Sequence, residues 1–185
     1  MTCEHTNHHI AEVVTEDHRG IRELITALEV ADCEPTRRRR LMDDLIGELS
    51  RHLAAEEQVL YPAVQRKLSA EEAETGMAEH TGITYVLKCL ERMPAMEPRF
   101  DVLLTELSGR VRANFRVEED MLATLTDACT HEEIADLGRR FRTARQTGPT
   151  RPHPAAPHTP PANWVVDPAL AAVDHLRDAV RIREV

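Results

Sequence analysis

The sequence is poor in the residues that build sheets, tight turns and sulfur frameworks. Aromatic residues make up 3% of its 185 positions, with one Trp, two Tyr and three Phe, and there are only 7 Gly. Nowhere do β-branched residues alternate between turn signals, so no strand pattern competes. The four cysteines (Cys3, Cys33, Cys89, Cys129) stand far apart without a CxxC pair. They read as reduced thiols, with neither a disulfide framework nor a zinc knuckle. No window approaches the roughly 18 consecutive apolar residues of a spanning helix. The opening MTCEHTNHH also lacks the apolar stretch of a signal peptide, so a cytoplasmic location and no membrane contact are expected. Positive charge is short as well: 23 Lys and Arg against 32 Asp and Glu give a net charge of −9. That argues against nucleic acid as a partner, because phosphate contacts need a cationic surface.

What is present is 42% hydrophobic and 30% charged residues arranged with helical period. Four long stretches repeat apolar residues every three or four positions. They run over about 10–30, 36–67, 69–94 and 99–125. Pro62 sits near the end of the second and is expected to kink it, since proline removes a backbone donor. Ser69-x-x-Glu72 and Thr130-x-x-Glu133 have the form of capping boxes, the second opening a shorter helix to about Arg145. Residues 147–163 hold six of the eleven prolines and read as an extended linker. Asp167-Pro168 then resembles an N-cap followed by a first-turn proline, opening a modest amphipathic helix within 164–185. Such a helix is too short to stand alone and is expected to dock on the bundle or on a protein partner. The expected fold is all-α: an antiparallel up-down four-helix bundle over 1–146 with a short fifth helix, then the Pro-rich linker and the C-terminal helix.

The informative feature is where the apolar stripes are interrupted. His18 falls on the first stripe, His52 and Glu56 on the second, His80 on the third, and Asn114 and Glu118 on the fourth. Residues four apart share a helix face, so each HxxxE-like pair points one way. A buried, unpaired carboxylate costs several kcal/mol, and two facing each other repel unless a proton or cation lies between them. A divalent metal answers both problems, and imidazole and carboxylate suit iron, manganese and zinc alike. Glu57 and Glu119, about 100° around from their neighbours, read as supporting or surface groups. Tyr61 is placed to hydrogen-bond a bridging carboxylate or to lie at the bundle boundary. Arg37–Arg40 reads as a solvated charge run, and Cys3, His5, His8 and His9 as a polar N-terminus. His153, His158 and His175 are expected to be exposed.

His18 in EDHRGIREL, His52 and Glu56 in HLAAEEQVLYP, His80 in AEHTGI, and Asn114 and Glu118 in NFRVEEDML together resemble the hemerythrin-like (HHE cation-binding) domain over about residues 8–126. The resemblance implies a non-heme di-iron centre in the bundle, with Glu56 and Glu118 bridging. It further implies His18 and His52 as terminal ligands of one iron and His80 as a ligand of the other. Asn114 departs from the pattern, which has His there, so one iron is expected to be held more weakly. Three outcomes stay open: water or Asn114 fills the place; Tyr61, Tyr85 or Glu119 moves in; or the domain holds one metal or none. A dry wall of Leu49, Val59, Ile83, Leu107, Val111 and Leu122 is expected around the centre. The implied function is binding or sensing O2, NO or peroxide. Peroxide or NO turnover, and a degenerate interaction module acting through the C-terminal helix, are the competing readings.

Overall fold

The computed structural model describes residues 9–30, 34–156 and 162–182. It is helical, with no strand among the described residues. In order the elements are α1 (Ile10–Glu29), α2 (Pro35–Ala55), a π-helical turn (Glu56–Leu60), α3 (Tyr61–Lys67), α4 (Ala70–Leu90), α5 (Pro98–Ala128), α6 (His131–Thr147) and α7 (Ala162–Ile182). The long helices follow from the apolar periodicity: α1 buries Ile10, Val14, Ile21, Ile25 and Leu28 along one stripe. α1 packs on α2, α5 and α6, while α4 packs on α3 and α5. Thr130 and Glu133 close the full reciprocal cap of α6. At α4 only the Ser69 half forms, its hydroxyl accepting from the Glu72 amide.

The second sequence helix is one continuous rod with a fault in it. Pro62 has no N–H for the Gln58 carbonyl, and its ring would collide with that carbonyl in a regular α-turn. The preceding turn is widened, so that the Tyr61 amide reaches the Glu56 carbonyl. The irregularity therefore lies just before the proline, at Glu56–Leu60.

Two apolar clusters fill the bundle, one on either side of a polar waist. One holds Ile25, Leu45, Leu49, Ile83, Leu87, Phe100 and Leu107. The other holds Ile10, Val14, Leu60, Val64, Leu122, Leu125 and Phe141. All six residues of the anticipated dry wall are buried.

Several surface expectations change. Arg38 and Arg39 are not simply solvated. Arg39 donates to the Leu90 and Met93 carbonyls at 2.8 and 2.9 Å, satisfying the open C-terminus of α4. Arg38 pairs with Asp101 and lies over the Phe100 ring. The proline-rich stretch does not float free at its start, because Gly148–Pro152 is buried. There Thr150 and Arg151 bond Asp178 of α7, and the buried Asp174 accepts from the Arg151 amide and His153. α7 begins at Ala162 with Pro168 inside it, so Asp167 is no N-cap. It accepts instead from Gln58 Nε2 at 2.7 Å. Cys3, His5, His8, Cys33, His158 and the His175 side chain lie outside the described residues.

Candidate metal centre

The waist between the two clusters is where the stripe interruptions meet. α1 supplies His18, α2 supplies His52, the π-helical turn Glu56, α4 His80 and α5 Glu118. All five are between 0% and 1% exposed. His52 Nε2 lies 3.2 Å from Glu56 Oε2, and His18 Nε2 lies 3.7 Å from Glu56 Oε1 and 3.4 Å from Glu118 Oε2. On the other side His80 Nε2 lies 3.4 Å from Glu56 Oε2 and 3.2 Å from Glu118 Oε1. Both carboxylates thus stand between the imidazole pair of α1 and α2 and the single imidazole of α4. One ligand atom from each of His18, His52, Glu56 and Glu118 lies within 4.8 Å of all the others.

Each imidazole is gripped from behind by a carboxylate. His18 Nδ1 donates to Glu119 at 3.1 Å, His52 Nδ1 to Asp17 at 3.4 Å and His80 Nδ1 to Glu57 at 3.1 Å. An ionised carboxylate only accepts, so the proton sits on each Nδ1 and each Nε2 is turned to the centre. This is the outer support that holds metal-binding imidazoles in register. The carboxylates are themselves tied down. Arg22 donates to Glu119 at 2.8 Å, and Arg145 of α6 pairs with Asp17. Phe115 stacks on His18 with ring centroids 3.7 Å apart, and Phe141 meets His52 edge-on at 5.9 Å.

Burial and charge pull the protonation equilibria in opposite directions. For His18 burial acts to lower the pKa, but the Glu118 and Glu56 carboxylates facing Nε2 at 3.4 and 3.7 Å win, and it is pushed up to about 9. His80 moves in the same direction for the same reasons, with Glu118, Glu56 and Glu57 overcoming burial. Burial acts to raise Glu56, yet the surrounding His52, His18 and His80 hold it well below the usual carboxylate range. Burial, followed by the Glu118 and Glu56 charges, lifts the Tyr61 phenol well above its ordinary value. With no metal bound, the two central carboxylates thus favour protonation of the imidazoles around them.

Those protons do not complete the accounting. His18 Nε2, His52 Nε2, both Glu56 oxygens and Glu118 Oε2 are buried without a hydrogen-bond partner. Buried polar atoms are rarely left so, and five facing one another form a donor set suited to a cation. Mixed imidazole and carboxylate donors fit iron, manganese or zinc.

The geometry agrees with the comparisons to known proteins. The family model "Hemerythrin HHE cation binding domain" matches residues 9–126. The chain belongs to that family. It is also similar to an uncharacterised hemerythrin-like protein of Schizosaccharomyces pombe, 28% identical over 173 residues, covering 91% of this chain and 85% of the relative. A Nostoc protein named DNA nickase is 23% identical over 137 residues, covering 74% of this chain and 39% of its own length. Among solved structures, a Mycobacterium kansasii protein containing a hemerythrin HHE cation binding domain matches with TM-score 0.66 and 25% identity. That match covers 75% of this chain and 85% of the other. The HHE assignment implies cation binding, and the His/Glu cluster at the polar waist is a candidate for holding the ion.

Three members of the site were not read from the sequence. Asp17 carries no signal in the sequence, because it stands beside His18 yet serves a histidine on another helix. Phe141 comes from α6, outside the four-helix pattern. Gly76 matters because a β-carbon there would fall 2.6 Å from Tyr61 Oη, so only glycine leaves room for that ring. Tyr61 is buried, donating to Glu118 Oε1 at 2.6 Å and lying 3.0 Å from His80 Nε2. Asn114 Nδ2 donates to the same Glu118 oxygen at 2.6 Å. Tyr85 is 66% exposed and takes no part.

Proposed function

We propose that this domain holds two non-heme iron ions and uses them to bind or sense a small oxidant or diatomic: O2, NO or peroxide. The observation that carries the reading is the set of five buried, unpartnered ligand atoms facing one another at the waist. In this reading His18 and His52 hold one ion, His80 the other, and Glu56 and Glu118 bridge them. Ferrous ions, once held there, would supply a coordination place and electron density for reversible binding of O2 or NO, and electrons to reduce a peroxide. The chain's own contribution is order and dryness. Glu119, Asp17 and Glu57 fix the three imidazoles so that no reorientation is needed on binding. The apolar clusters above and below keep bulk water out and protect a bound polar species from release.

The test is an optical spectrum of protein purified and iron-loaded without oxygen, taken before and after addition of air, NO or peroxide. A near-ultraviolet oxo-bridge band appearing with air or peroxide, or a new visible band with NO, is the expected result. An unchanged spectrum with all three removes the sensing role. Steady-state consumption of the added ligand would move the reading from binding to turnover.

A further inference from the structure

The two proposed ions are not equally provided for, and one buried side chain stands where the shortfall lies. We propose that Tyr61 is a ligand of the ion held by His80, supplying through its phenol oxygen the donor that Asn114 does not. This rests on the two-iron reading above.

The first support is position. Tyr61 Oη touches Glu118 Oε1 at 2.6 Å and His80 Nε2 at 3.0 Å, the two groups on that side of the site. Second, the other candidates are spoken for or absent. Glu119 is engaged with His18 and Arg22, and Tyr85 points to solvent. Asn114 binds Glu118 and offers an amide, a far weaker donor to iron than imidazole. Third, the fold makes room for this ring at a cost. Gly76 lies inside α4, where glycine is a poorer helix former than alanine. A β-carbon at 76 would collide with Tyr61 Cζ and Oη, both 2.6 Å away. The widened turn Glu56–Leu60 is closed by the Tyr61 amide, which bonds the Glu56 carbonyl, so it sets the position of the phenol.

On ligation the Tyr61 O–H bond breaks, the proton leaves to solvent, and the oxygen lone pair passes to the cation. The hydrogen bond to Glu118 is lost in the exchange, and no atom changes oxidation state. A nearby cation favours this ionisation, as it does for any coordinated acid.

The test compares the full chain with Tyr61→Phe and Gly76→Ala, each loaded with iron, oxidised, and examined by visible absorption, resonance Raman and iron analysis. The wild-type chain should show a visible phenolate-to-iron band with tyrosine ring modes enhanced in the Raman spectrum. Tyr61→Phe, which removes a single oxygen, should lose the band, and its iron should fall from two per chain to one. Gly76→Ala keeps the phenol but displaces it, and should lose most of the band. Two irons per chain with no tyrosine band in the wild type would overturn this assignment and leave the two-iron reading standing. So would a Tyr61→Phe spectrum identical to the wild type. Failure of the wild-type chain to take up iron would overturn both. Should Tyr61→Phe not fold, the wild-type Raman spectrum decides alone.

Discussion

The two sides of the polar waist are built from different materials. On the α1–α2 side two imidazoles converge, each backed by a carboxylate that is itself held by an arginine, and aromatic rings from α5 and α6 press against them. On the α4–α5 side there is one imidazole, a phenol and an amide, with Glu118 Oε1 receiving both Tyr61 and Asn114. The first side is provided with donors for a cation. The second is partly satisfied by its own hydrogen bonds, and any cation there must displace them. Occupancy at the two sides should therefore be unequal, which an intact count of buried His and Glu would not reveal.

The sharpest way to break that comparison is Glu56→Ala. Glu56 faces both sides, so its loss should abolish paired metal, leaving fewer than one ion per chain by metal analysis. Retention of two ions would remove Glu56 from the bridge. Next come the supporting carboxylates. Asp17→Ala should weaken binding on the α1–α2 side, and Glu57→Ala on the α4–α5 side, each by about 10–100-fold in a chelator competition. Equal effects of both variants on both ions would erase the distinction between the sides. Asn114→His should act the other way, restoring an imidazole and raising occupancy of the weaker ion toward that of the stronger.

The smallest effect is on pH dependence. In the metal-free protein His18 has a pKa of about 9, above its ordinary 6.5. A raised folded-state value means that its stabilising contribution is complete below 6.5 and is lost as pH climbs through 9. The thermal midpoint of metal-free protein should fall over that interval. Metal-loaded protein should not follow, because an ion in place of the Nε2 proton competes better as protons become scarce. Parallel curves for the two forms would place His18 outside the metal's reach.

Much of the fold could be read from one helix at a time. The 3.6-residue stripe of each long helix fixes its inward face, and His18, His52, Glu56, His80 and Glu118 sit on those faces because they interrupt the stripes. What could not be read is whatever depends on a second helix. Asp17 looks like an exposed acid until α2 is laid beside α1. Glu57, 100° off the stripe in a regular helix, is buried at 5% exposure against His80, in a turn that Pro62 has widened. Gly76 is unremarkable in sequence, and its meaning lies in the ring of another helix. The docking of Gly148–Pro152 was hidden for a related reason. Proline-rich composition signals a chain without internal hydrogen bonds, yet the bonds here run outward to Asp174 and Asp178 of α7.

The central claim is that cations reconcile five dry, mutually facing side chains. It is tested most directly by thermal unfolding of the stripped chain titrated with ferrous iron in the absence of oxygen. A ligand that binds only the folded state must raise the midpoint. The account predicts a rise that grows with iron concentration beyond saturation and is lost in Glu56→Ala. An unchanged midpoint at any iron concentration would contradict it.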